Sequence, residues 1–409
     1  MPTMIYADNN ATTAVAPEVR EAMLPYFGEK FFNPSSMYAP AMAVAKDLAA
    51  ARAEIAAFAG AEQPSEILLT SCATESNNTA LFGTAAANPG RRHVVTSAVE
   101  HPAVLEACRE LERRGGEVTV LPVDRQGRIS MSDYVRALRP GETLAVSLMH
   151  ANNETGVVWP VGEYARIAKE TDPEIVFHTD ATQTAGKIPF SVSEGFRHVD
   201  LLSFSGHKMH APKGIGVLYV RRGTRMRPFL YGGHQESGRR GGTENVAYAA
   251  GLAAACRLAK AHEKEMARVA GLRDWLEAEL EKRIPWLEVN GKGAERTPNT
   301  LNLAIHFIEG ESILYELNEE GICASTGSAC SSGSLEASHV LREMHVPFTA
   351  VHGSLRLSFS AYTTEEEVRR LADAVPRVAA SLRRLSPYWD QAKNAPRESA
   401  VALGRTSGK

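Results

Sequence analysis

The residues best suited to chemistry follow an apolar segment in "LLSFSGHKMHAPKGIG", where Ser205, Gly206, His207 and Lys208 come directly after a buried-strand pattern. Most lysines are solvated surface charges, and that interpretation would hold for a lone lysine. This lysine instead lies among turn residues, beside a hydroxyl and an imidazole, where a strand ends. A lysine desolvated in such a cleft has a lowered pKa and becomes nucleophilic. That is the requirement for a Schiff base with an aldehyde cofactor.

A carboxylate occupies the matching place in "IVFHTDATQTAG", where a second apolar strand ends in Asp180 and Gln183 follows three residues later. Such a carboxylate can equally well cap a helix, and taken alone the two roles remain open. Considered together with Lys208, it completes the needs of pyridoxal 5'-phosphate (PLP). This cofactor requires a lysine for the Schiff base and an acidic partner that keeps its pyridine nitrogen protonated.

Two further segments could hold the rest of this cofactor. In "TSCATESNNTALFG", Thr74 falls at a strand-to-helix junction, with Glu75 and Ser76 in the first helical turn. Hydroxyls and backbone N–H groups at a helix start bind phosphate well. In "SAVEHPAV", His101 follows a strand and offers a flat partner for the cofactor ring. The residues therefore predict a PLP site.

A metal site is the first alternative, because His178, Asp180, His207 and His210 could act as ligands. A His-x-Asp pair on a strand points both side chains to one face. This alternative leaves Lys208 unexplained, however, and puts its charge in the way of a divalent cation. We therefore expect no metal.

Nucleic-acid binding is the second alternative, suggested by "YGGHQESGRRGGTEN" at residues 231–245, which is similar to an arginine–glycine segment. The stretch is short, isolated and without interleaved aromatic residues, so we expect a structured anion-binding loop instead. The chain contains neither G-x-G-x-x-G nor G-x-x-x-x-G-K-[ST], which speaks against a dinucleotide or a nucleoside triphosphate.

The elements that must position these residues alternate between apolar runs and amphipathic segments from about Ala39 to Asn302. Such alternation predicts an α/β fold with a mainly parallel sheet and helices on both faces. Ligands of such sheets lie beyond the carboxyl ends of the strands, where the polar residues above are found. Seven runs have the pattern of short buried strands: "EILLT", "HVVTS", "EVTVLPV", "LAVSLMH", "EIVFHTD", "VDLLSFS" and "GVLYV".

A smaller α+β domain is predicted from the second part of the chain. A long helical pattern covers about residues 245–283, and "PNTLNLAI", "SLRLSFS" and "TEEEVRRLADAVPRVAASLRRL" follow it. The residues from Trp389 onward are polar and lack periodicity, which is typical of a poorly ordered tail. We therefore expect a large domain at residues 15–260, a small domain at 1–14 and 261–388, and a polar C-terminal tail at 389–409.

Composition limits the partners and the compartment. The chain has 409 residues, 44% of them hydrophobic and 23% charged, with a net charge of −3. These values are ordinary for a globular protein, and they favour neither nucleic acid nor an anionic membrane as the main partner. The N-terminus lacks a signal-peptide pattern, and no apolar stretch approaches the roughly 18 residues of a membrane span. We therefore expect a cytoplasmic protein.

The five cysteines are Cys72, Cys108, Cys256, Cys323 and Cys330, and no C-x-x-C pair occurs among them. A disulfide framework and a structural zinc site are therefore disfavoured. The simplest interpretation of a free cysteine is a small buried apolar residue, and it suits Cys108 and Cys256 in their helical patterns. It does not suit Cys330, because "STGSACSSGS" surrounds it with small and mostly polar residues. Glycine and serine permit several backbone conformations, so this stretch is suited to carrying a thiol into a cleft.

The set of motifs resembles the class V aminotransferase-like PLP enzymes and, within them, the cysteine desulfurases of the NifS type. The resemblance runs from "YADNNATT" to about Tyr388. Cys72 stands where related housekeeping desulfurases usually have glycine, and this residue and the long serine-rich cysteine stretch favour the nitrogen-fixation subgroup. One departure is Phe32 before Asn33, where many members have glycine. The matching stretches are "FFNPSS", "TSCATES", "VEHPAV", "ANNETG", "FHTDATQ", "SGHKMHAPKG", "GGHQESGRRGGTEN", "PNTLN", "GICASTGSACSSGSLE" and "HGSLRLS".

The resemblance implies PLP-dependent transferase fold type I, with a seven-stranded sheet, and it implies roles for the matching residues. Lys208 would form the Schiff base, while Asp180 and Gln183 would contact the pyridine nitrogen and the ring hydroxyl. His101 would stack on the ring and take part in proton transfer. The other implied contacts are Ala73, Thr74, Ser205 and His207 for the phosphate, Thr243 for the phosphate of the other subunit in a homodimer, Arg356 for the substrate carboxylate, and Asn33 and Asn153 in support.

The implied reaction converts L-cysteine to L-alanine and keeps the sulfur as a persulfide on Cys330. An iron–sulfur scaffold, of the kind associated with nitrogenase, would accept that sulfur. Two other PLP reactions, transamination and selenocysteine cleavage, remain open on the same scaffold. A non-enzymatic sulfur carrier or cluster scaffold that uses Cys330 and Cys323 is a further alternative, and it would leave Lys208 without a role.

Overall fold

The computed structural model describes residues 4–326 and 337–398. Within these ranges the chain forms strands and helices in alternation. The strands are β1 (Ile5–Tyr6), β2 (Ile67–Thr70), β3 (His93–Ser97), β4 (Glu117–Leu121), β5 (Thr143–Ser147), β6 (Val176–Asp180), β7 (Leu201–Ser205), β8 (Gly216–Val220), β9 (Leu287–Val289), β10 (Thr300–Ile305), β11 (Ile322–Cys323), β12 (Ser354–Ser358), β13 (Trp389–Asp390) and β14 (Ala395–Pro396).

The helices cover both faces of the largest sheet and most of the remaining chain. They are α1 (Pro17–Met23), α2 (Ala39–Ala59), α3 (Ala73–Ala87), α4 (Pro102–Arg113), α5 (Met131–Ala137), α6 (Val161–Thr171), α7 (Val246–Ala261), α8 (Glu263–Arg283), α9 (Gly310–Glu319), α10 (His339–Glu343), α11 (Phe348–Val351) and α12 (Glu365–Leu385). The long helical pattern predicted at about 245–283 is thus two helices, α7 and α8, with His262 between them.

The main sheet has seven strands in the order β2-β8-β7-β6-β5-β3-β4. Strand β8 runs antiparallel to both of its neighbours, and every other neighbouring pair is parallel. The predicted mainly parallel, seven-stranded sheet is therefore confirmed, and its strands are the seven apolar runs. Residues of β5, β6 and β7 are buried throughout, as expected where helices cover both faces.

The two faces of the sheet bury alternate residues of each strand. Leu201 of β7 packs into a core with α3 and α4, whereas Leu202 packs into a larger core with α2, α6 and α7. Helix α2 ends at Gly60, whose φ of 74° is the left-handed conformation that glycine adopts readily at a helix end. Because β6 and β7 pair in parallel, their carboxyl ends lie at the same edge of the sheet.

A separate core forms from both ends of the chain. It contains Ile5 of β1, Leu276 of α8, Leu303 of β10, Leu357 of β12 and Leu371 of α12. Strand β1 pairs with β11 in parallel, and β12, β10 and β9 form an antiparallel sheet. The predicted domain boundaries stay a prediction, since two cores do not by themselves fix where a domain ends.

Residues on the two sides of position 330 join different cores. Ile322 of β11 belongs to the smaller core, whereas Val340, Leu341 and Met344 around α10 belong to the core under the main sheet. Cys330 itself lies outside the described residues. The described chain thus belongs to the smaller core at β11 and to the core under the main sheet at α10.

The structure differs from the sequence interpretation at Trp389, which is buried although it begins the predicted tail. Its ring lies 6.0 Å from that of Phe307, and the guanidinium of Arg383 lies 4.3 Å from its centroid. Strands β13 and β14 pair immediately afterwards. Trp389 therefore packs against Phe307 and Arg383, whereas residues 391–394, 397 and 398 are exposed. Over the described ranges, no helix combines the length and the apolar character that crossing a membrane requires.

Candidate active site

A cavity of about 320 Å³ opens at the carboxyl ends of β6 and β7. It collects residues from seven separate stretches of the chain, between Asn10 and Arg356. Among its lining residues are ten of the predicted site residues: Ala73, Thr74, His101, Asn153, Asp180, Gln183, Ser205, His207, Lys208 and Arg356. The structure therefore brings most of the predicted cluster together around one space.

Lys208 enters the cavity from a single short turn, Gly206–Lys208, which directly follows β7. A side chain at Gly206 would meet Ile215 at 2.8 Å, so the close packing of this turn needs glycine. The Lys208 Nζ donates hydrogen bonds to the carbonyl oxygens of Asn10 and Ala11, both at 2.6 Å. These carbonyls come from "YADNNATT" near the N-terminus, and sequence reasoning assigned no role to them.

Asp180 is buried at the end of β6, and its carboxylate is oriented by two donors. The Asn77 Nδ2 donates to its Oδ2 at 2.7 Å, and the backbone N–H of Thr182 donates to its Oδ1 at 2.9 Å. Sequence reasoning missed Asn77. The available signal was its place three residues after Thr74, because residues at that spacing share a helix face.

His101 is the N-cap of α4, and its Nδ1 accepts a hydrogen bond from the backbone N–H of Ala103 at 3.1 Å. Because a backbone N–H can only donate, Nδ1 carries no proton and the neutral ring holds its proton on Nε2. Burial is the main reason that the pKa of His101 is lowered; Asp180 opposes this effect, and Lys208 adds to it. The site therefore presents a neutral imidazole at this place.

The end of the cavity near α3 fits a phosphate group. Ala73 and Thr74 form the first turn of α3, where backbone N–H groups lack helical partners. The Ser205 Oγ is buried and has no hydrogen-bond partner among the described residues. Burial lowers the pKa of His207 to about 4. Free donors at a helix start, together with the lysine and the carboxylate, form a donor set that fits PLP.

Arg356 approaches the cavity from β12 and is buried. Its Nη2 donates to Asp8 Oδ1 at 2.7 Å and its Nη1 to the Asn153 carbonyl at 3.0 Å. Its Nε is buried and has no hydrogen-bond partner within the described ranges. The backbone of Arg356 pairs with Ser325 in both directions, which ties the chain before position 327 to the strand that carries this arginine.

Two predicted residues do not line the cavity. Asn33 is exposed, and its Oδ1 accepts from the backbone N–H of Ser35 at 2.9 Å. Thr243 is exposed in the Gly/Arg segment, which is consistent with its predicted reach toward another subunit but does not test it. This segment is a structured loop, since Arg240 pairs with Glu75 of α3 at 2.8 Å. Cys330 lies beyond the residues that can be described.

Two buried carboxyl groups beside the cavity were also missed. Glu154 accepts a hydrogen bond from the Ser338 hydroxyl, and the Nε2 of His339 lies 3.0 Å from the carbonyl oxygen of Glu100. These contacts fix the start of α10 to the edge of the main sheet, just after the stretch that contains Cys330. The only signal for them in the sequence was their position next to predicted site residues. Glu100 precedes His101, and Glu154 follows Asn153, in the stretches that carry the family resemblance.

Glu100 makes stability depend on pH. Burial raises its pKa to about 8, against its ordinary 4.5. The unfolded chain loses this proton near pH 4.5, whereas the folded chain keeps it until about pH 8. The associated stability is therefore fully present below pH 4.5 and is lost as pH rises through about 8.

We expect Glu100→Gln, which cannot ionise, to become more stable than the unmodified protein as pH rises from 5 to 8, with a difference of up to about 5 kcal/mol. Urea unfolding at several pH values measures this difference. Glu106→Gln, an exposed change on α4 six residues further along, is the control and should show no such trend. Parallel pH curves for the Glu100→Gln variant and the unmodified protein would contradict the assignment.

The residues of the metal alternative are not gathered into one site. Both ring nitrogens of His178 are hydrogen-bonded, to Ser147 at 2.8 Å and to Ser203 at 2.9 Å. The Nδ1 of His210 lies 3.0 Å from the carbonyl of Ala14. In the part of the chain that the structure describes, no group of three or more His, Cys, Asp or Glu side chains is arranged to hold a metal ion.

Comparison with known proteins agrees with this geometry. The family described as Aminotransferase class-V matches residues 5–371. A cysteine desulfurase of Gluconacetobacter diazotrophicus is 52% identical over 390 residues, which are 95% of this chain and 96% of that protein. Cysteine desulfurase NifS of Azotobacter vinelandii is 51% identical over 386 residues, 94% of this chain and 95% of that protein. A solved NifS-like protein superimposes with a TM-score of 0.86 at 36% identity, covering 93% of this chain and all of that one.

Proposed function

The chain belongs to the class V aminotransferase family and, within it, to the PLP-dependent cysteine desulfurases of the NifS type, and from this premise we propose how its residues divide the reaction. The substrate is L-cysteine, the products are L-alanine and a persulfide on Cys330, and Lys208 acts on the substrate. The observation that carries the proposal is the placement of Lys208, Asp180 and Arg356 around one cavity.

The cavity residues would hold PLP in the following way. Lys208 would bind it covalently, Asp180 would pair with its pyridine nitrogen, and Gln183 would contact its ring hydroxyl. His101 would cover its face. Ala73, Thr74, Ser205 and His207 would hold its phosphate. The bound cofactor withdraws electrons from the substrate Cα and so makes the Cα proton acidic.

Lys208 would remove that proton when its amine is not bonded to the cofactor. The carbonyls of Asn10 and Ala11 accept hydrogen bonds from its Nζ, so they would hold the amine in the cavity after it has taken up the proton. Asn77 and the N–H of Thr182 keep the Asp180 carboxylate in a fixed orientation. His101 keeps a proton on Nε2, because its Nδ1 is occupied by Ala103.

Arg356 would bind the substrate carboxylate, with support from Asn153 and Asn33. A carboxylate that accepts from the Nε of Arg356 would satisfy a donor that is otherwise buried without a partner among the described residues. The Asn153 carbonyl already fixes one arm of the guanidinium, and Asp8 fixes another. The arginine is therefore held ready in one orientation, which lowers the cost of binding.

Cys330 would attack the substrate sulfur as a thiolate, because the thiolate and not the thiol is the nucleophile. The new S–S bond forms as the carbon–sulfur bond breaks, and the electron pair of the broken bond stays with the carbon skeleton that becomes alanine. Ser354 lies on β12, two residues before Arg356, and its hydroxyl donates to the carbonyl of Thr326. The described chain before position 330 is therefore tied to the strand that carries Arg356.

We also propose a homodimer in which Thr243 contacts the cofactor phosphate of the other subunit. Large apolar side chains are exposed near α1 and α2, and the exposed fraction is 70% for Phe31 and 92% for Met37. Leu230 and Tyr231, at the start of the Gly/Arg segment, are exposed as well. Apolar groups clustered at a surface are typical of a region covered by a protein partner.

The proposed sulfur acceptor is an iron–sulfur scaffold, and the proposed destination of the sulfur is nitrogenase. Two sequence features support this subgroup: Cys72 after Ser71, and the long serine-rich stretch around Cys330.

The test of the function is incubation with cysteine as the sole amino acid, without any keto acid. We expect alanine and sulfur release over many turnovers when a thiol reductant is present. A transaminase would instead stop after about one equivalent, because its cofactor would await a keto acid. A single turnover, or pyruvate as the main product, would contradict the proposal.

A further inference from the structure

A second lysine lies beneath the cavity and has no place in the reaction described above. Lys187 is buried, and its Nζ donates to Gln183 Oε1 at 2.8 Å and lies 3.3 Å from Asn10 Oδ1. Over the described ranges, no carboxylate is within ion-pair distance of it. Its amine is thus held by two amide oxygens, both on residues that line the cavity.

Burying this amine is unfavourable, which suggests that it has a specific use. Burial, followed by the charges of Lys208 and Arg356, lowers the pKa of Lys187 well below its ordinary value. On its other side lies a smaller cavity lined by Lys260 and Glu263. An apolar side chain of similar length would avoid the desolvation cost, so the retained property is the hydrogen-bond donor.

That donor and the Asn10 carbonyl together decide which way the Gln183 amide faces. The Gln183 Oε1 accepts from Lys187, and the Nε2 donates one hydrogen to the Asn10 carbonyl at 3.1 Å. A flipped amide would place its oxygen against the Asn10 carbonyl, which is repulsive, and it would lose the hydrogen bond from Lys187 to Oε1. The second hydrogen on Nε2 is therefore free to serve a group in the cavity.

We propose that Lys187 is a positioning residue: it fixes Gln183 so that the amide NH₂ donates to the ring oxygen of the bound cofactor. The proposal rests on the function proposed above, since Gln183 is assigned to that oxygen there. It deepens the proposed function by naming the group that selects the amide orientation.

The contact with Asn10 extends the same effect toward Lys208. The Asn10 carbonyl accepts from both Gln183 and Lys208, and its side chain also binds Asn299 and Thr300. Lys187 is one of the donors that hold this side chain. Both lysines therefore contact Asn10. Lys208 binds its backbone carbonyl, and Lys187 binds its side-chain oxygen.

The pH titration of the visible absorption band of the holoenzyme tests the proposal. A donor to the ring oxygen stabilises negative charge there and weakens the hold on the neighbouring Schiff-base proton. We expect Lys187→Met to raise the titration midpoint by about one pH unit, a tenfold change in proton affinity. Lys187→Leu serves as a second apolar variant if the methionine variant does not fold.

A double-mutant cycle separates positioning from simple loss of charge. In a Gln183→Ala background, we expect Lys187→Met to move the midpoint by no more than about 0.2 units, because its target is gone. Lys260→Met removes another lysine side chain from the smaller cavity without altering a contact of Gln183, and it should leave the midpoint unchanged.

Two results would overturn the inference: an unchanged midpoint in a Lys187→Met enzyme that holds its full complement of cofactor, or an equal shift with and without Gln183. Failure of the proposed function is distinguishable from both, because it would appear in the cysteine assay as a single turnover or as pyruvate formation, whatever the titration midpoint.

Discussion

Lys208→Ala is expected to lower alanine formation from cysteine by at least about 10⁴-fold and to abolish covalent attachment of the cofactor. Removal of a positioned base alone costs typically 10²–10⁴-fold, and Lys208 combines this task with covalent binding. The loss should not extend to the fold, because the hydrogen bonds from Nζ to the Asn10 and Ala11 carbonyls lie at the cavity and not in a hydrophobic core.

The measurement is the alanine rate together with borohydride reduction and peptide mass mapping. In the unmodified protein the reduced cofactor should remain on the peptide that contains Lys208. Lys213→Ala, an exposed change five residues further along, is the control and should keep both activity and label. A label on Lys187, or more than a tenth of the activity in the Lys208→Ala variant, would refute the assignment.

Cys330→Ser is expected to abolish persulfide formation and to reduce alanine formation by about 10³-fold or more, since the hydroxyl that replaces the thiol is not a comparable nucleophile. The other cysteines are not equal candidates. Burial raises the pKa of Cys108 to about 12 and raises that of Cys256 even further, so these thiols stay protonated. Cys72 and Cys323 are partly exposed and are the relevant comparisons.

Cysteine labelled in its sulfur, followed by alkylation and mass spectrometry, locates the transferred atom. We expect the label on Cys330 in the unmodified protein and in the Cys72→Ser and Cys323→Ser variants. Label on Cys323 would favour a carrier function for that residue, and a Cys330→Ser variant that forms alanine at the unmodified rate would exclude covalent participation.

Much of the fold could be predicted because the main sheet is buried on both faces. A strand in that environment is rich in apolar residues, and β5, β6 and β7 are buried along their whole length. The edge strand β4 is partly exposed. The polar residues that end the buried strands, Asp180 and Ser205 among them, are then confined to one edge of the sheet. Lys208, directly after β7, could be placed in the cavity for the same reason.

The supporting residues could not be predicted, because their importance comes from contacts between distant segments. Lysine and glutamate are residue types that usually lie at the surface, and only the packing around Lys187 and Glu100 shows that these two are buried. Asn10 reaches Lys208 across 198 residues of sequence. No periodicity within one element contains that information, whereas Asn77 could have been found from its helical spacing to Thr74.

Asn33 and Thr243 illustrate a different limit. Both are exposed on a single chain, and the roles assigned to them depend on their surroundings, in the case of Thr243 on a second subunit. Trp389 shows a third limit: it is buried, although the segment that it begins is polar in its average composition.

The pairing of β1 with β11, and of Asp8 with Arg356, has a consequence for how the protein is made. Residues near the start of the chain emerge from the ribosome first, yet their partners are about 320–350 positions later. At roughly 5–20 residues per second, translation separates the two by tens of seconds. During that interval the nascent segment with Asn10 lacks the strand β12 that it contacts in the folded protein, so the cavity is complete only after synthesis has passed Arg356.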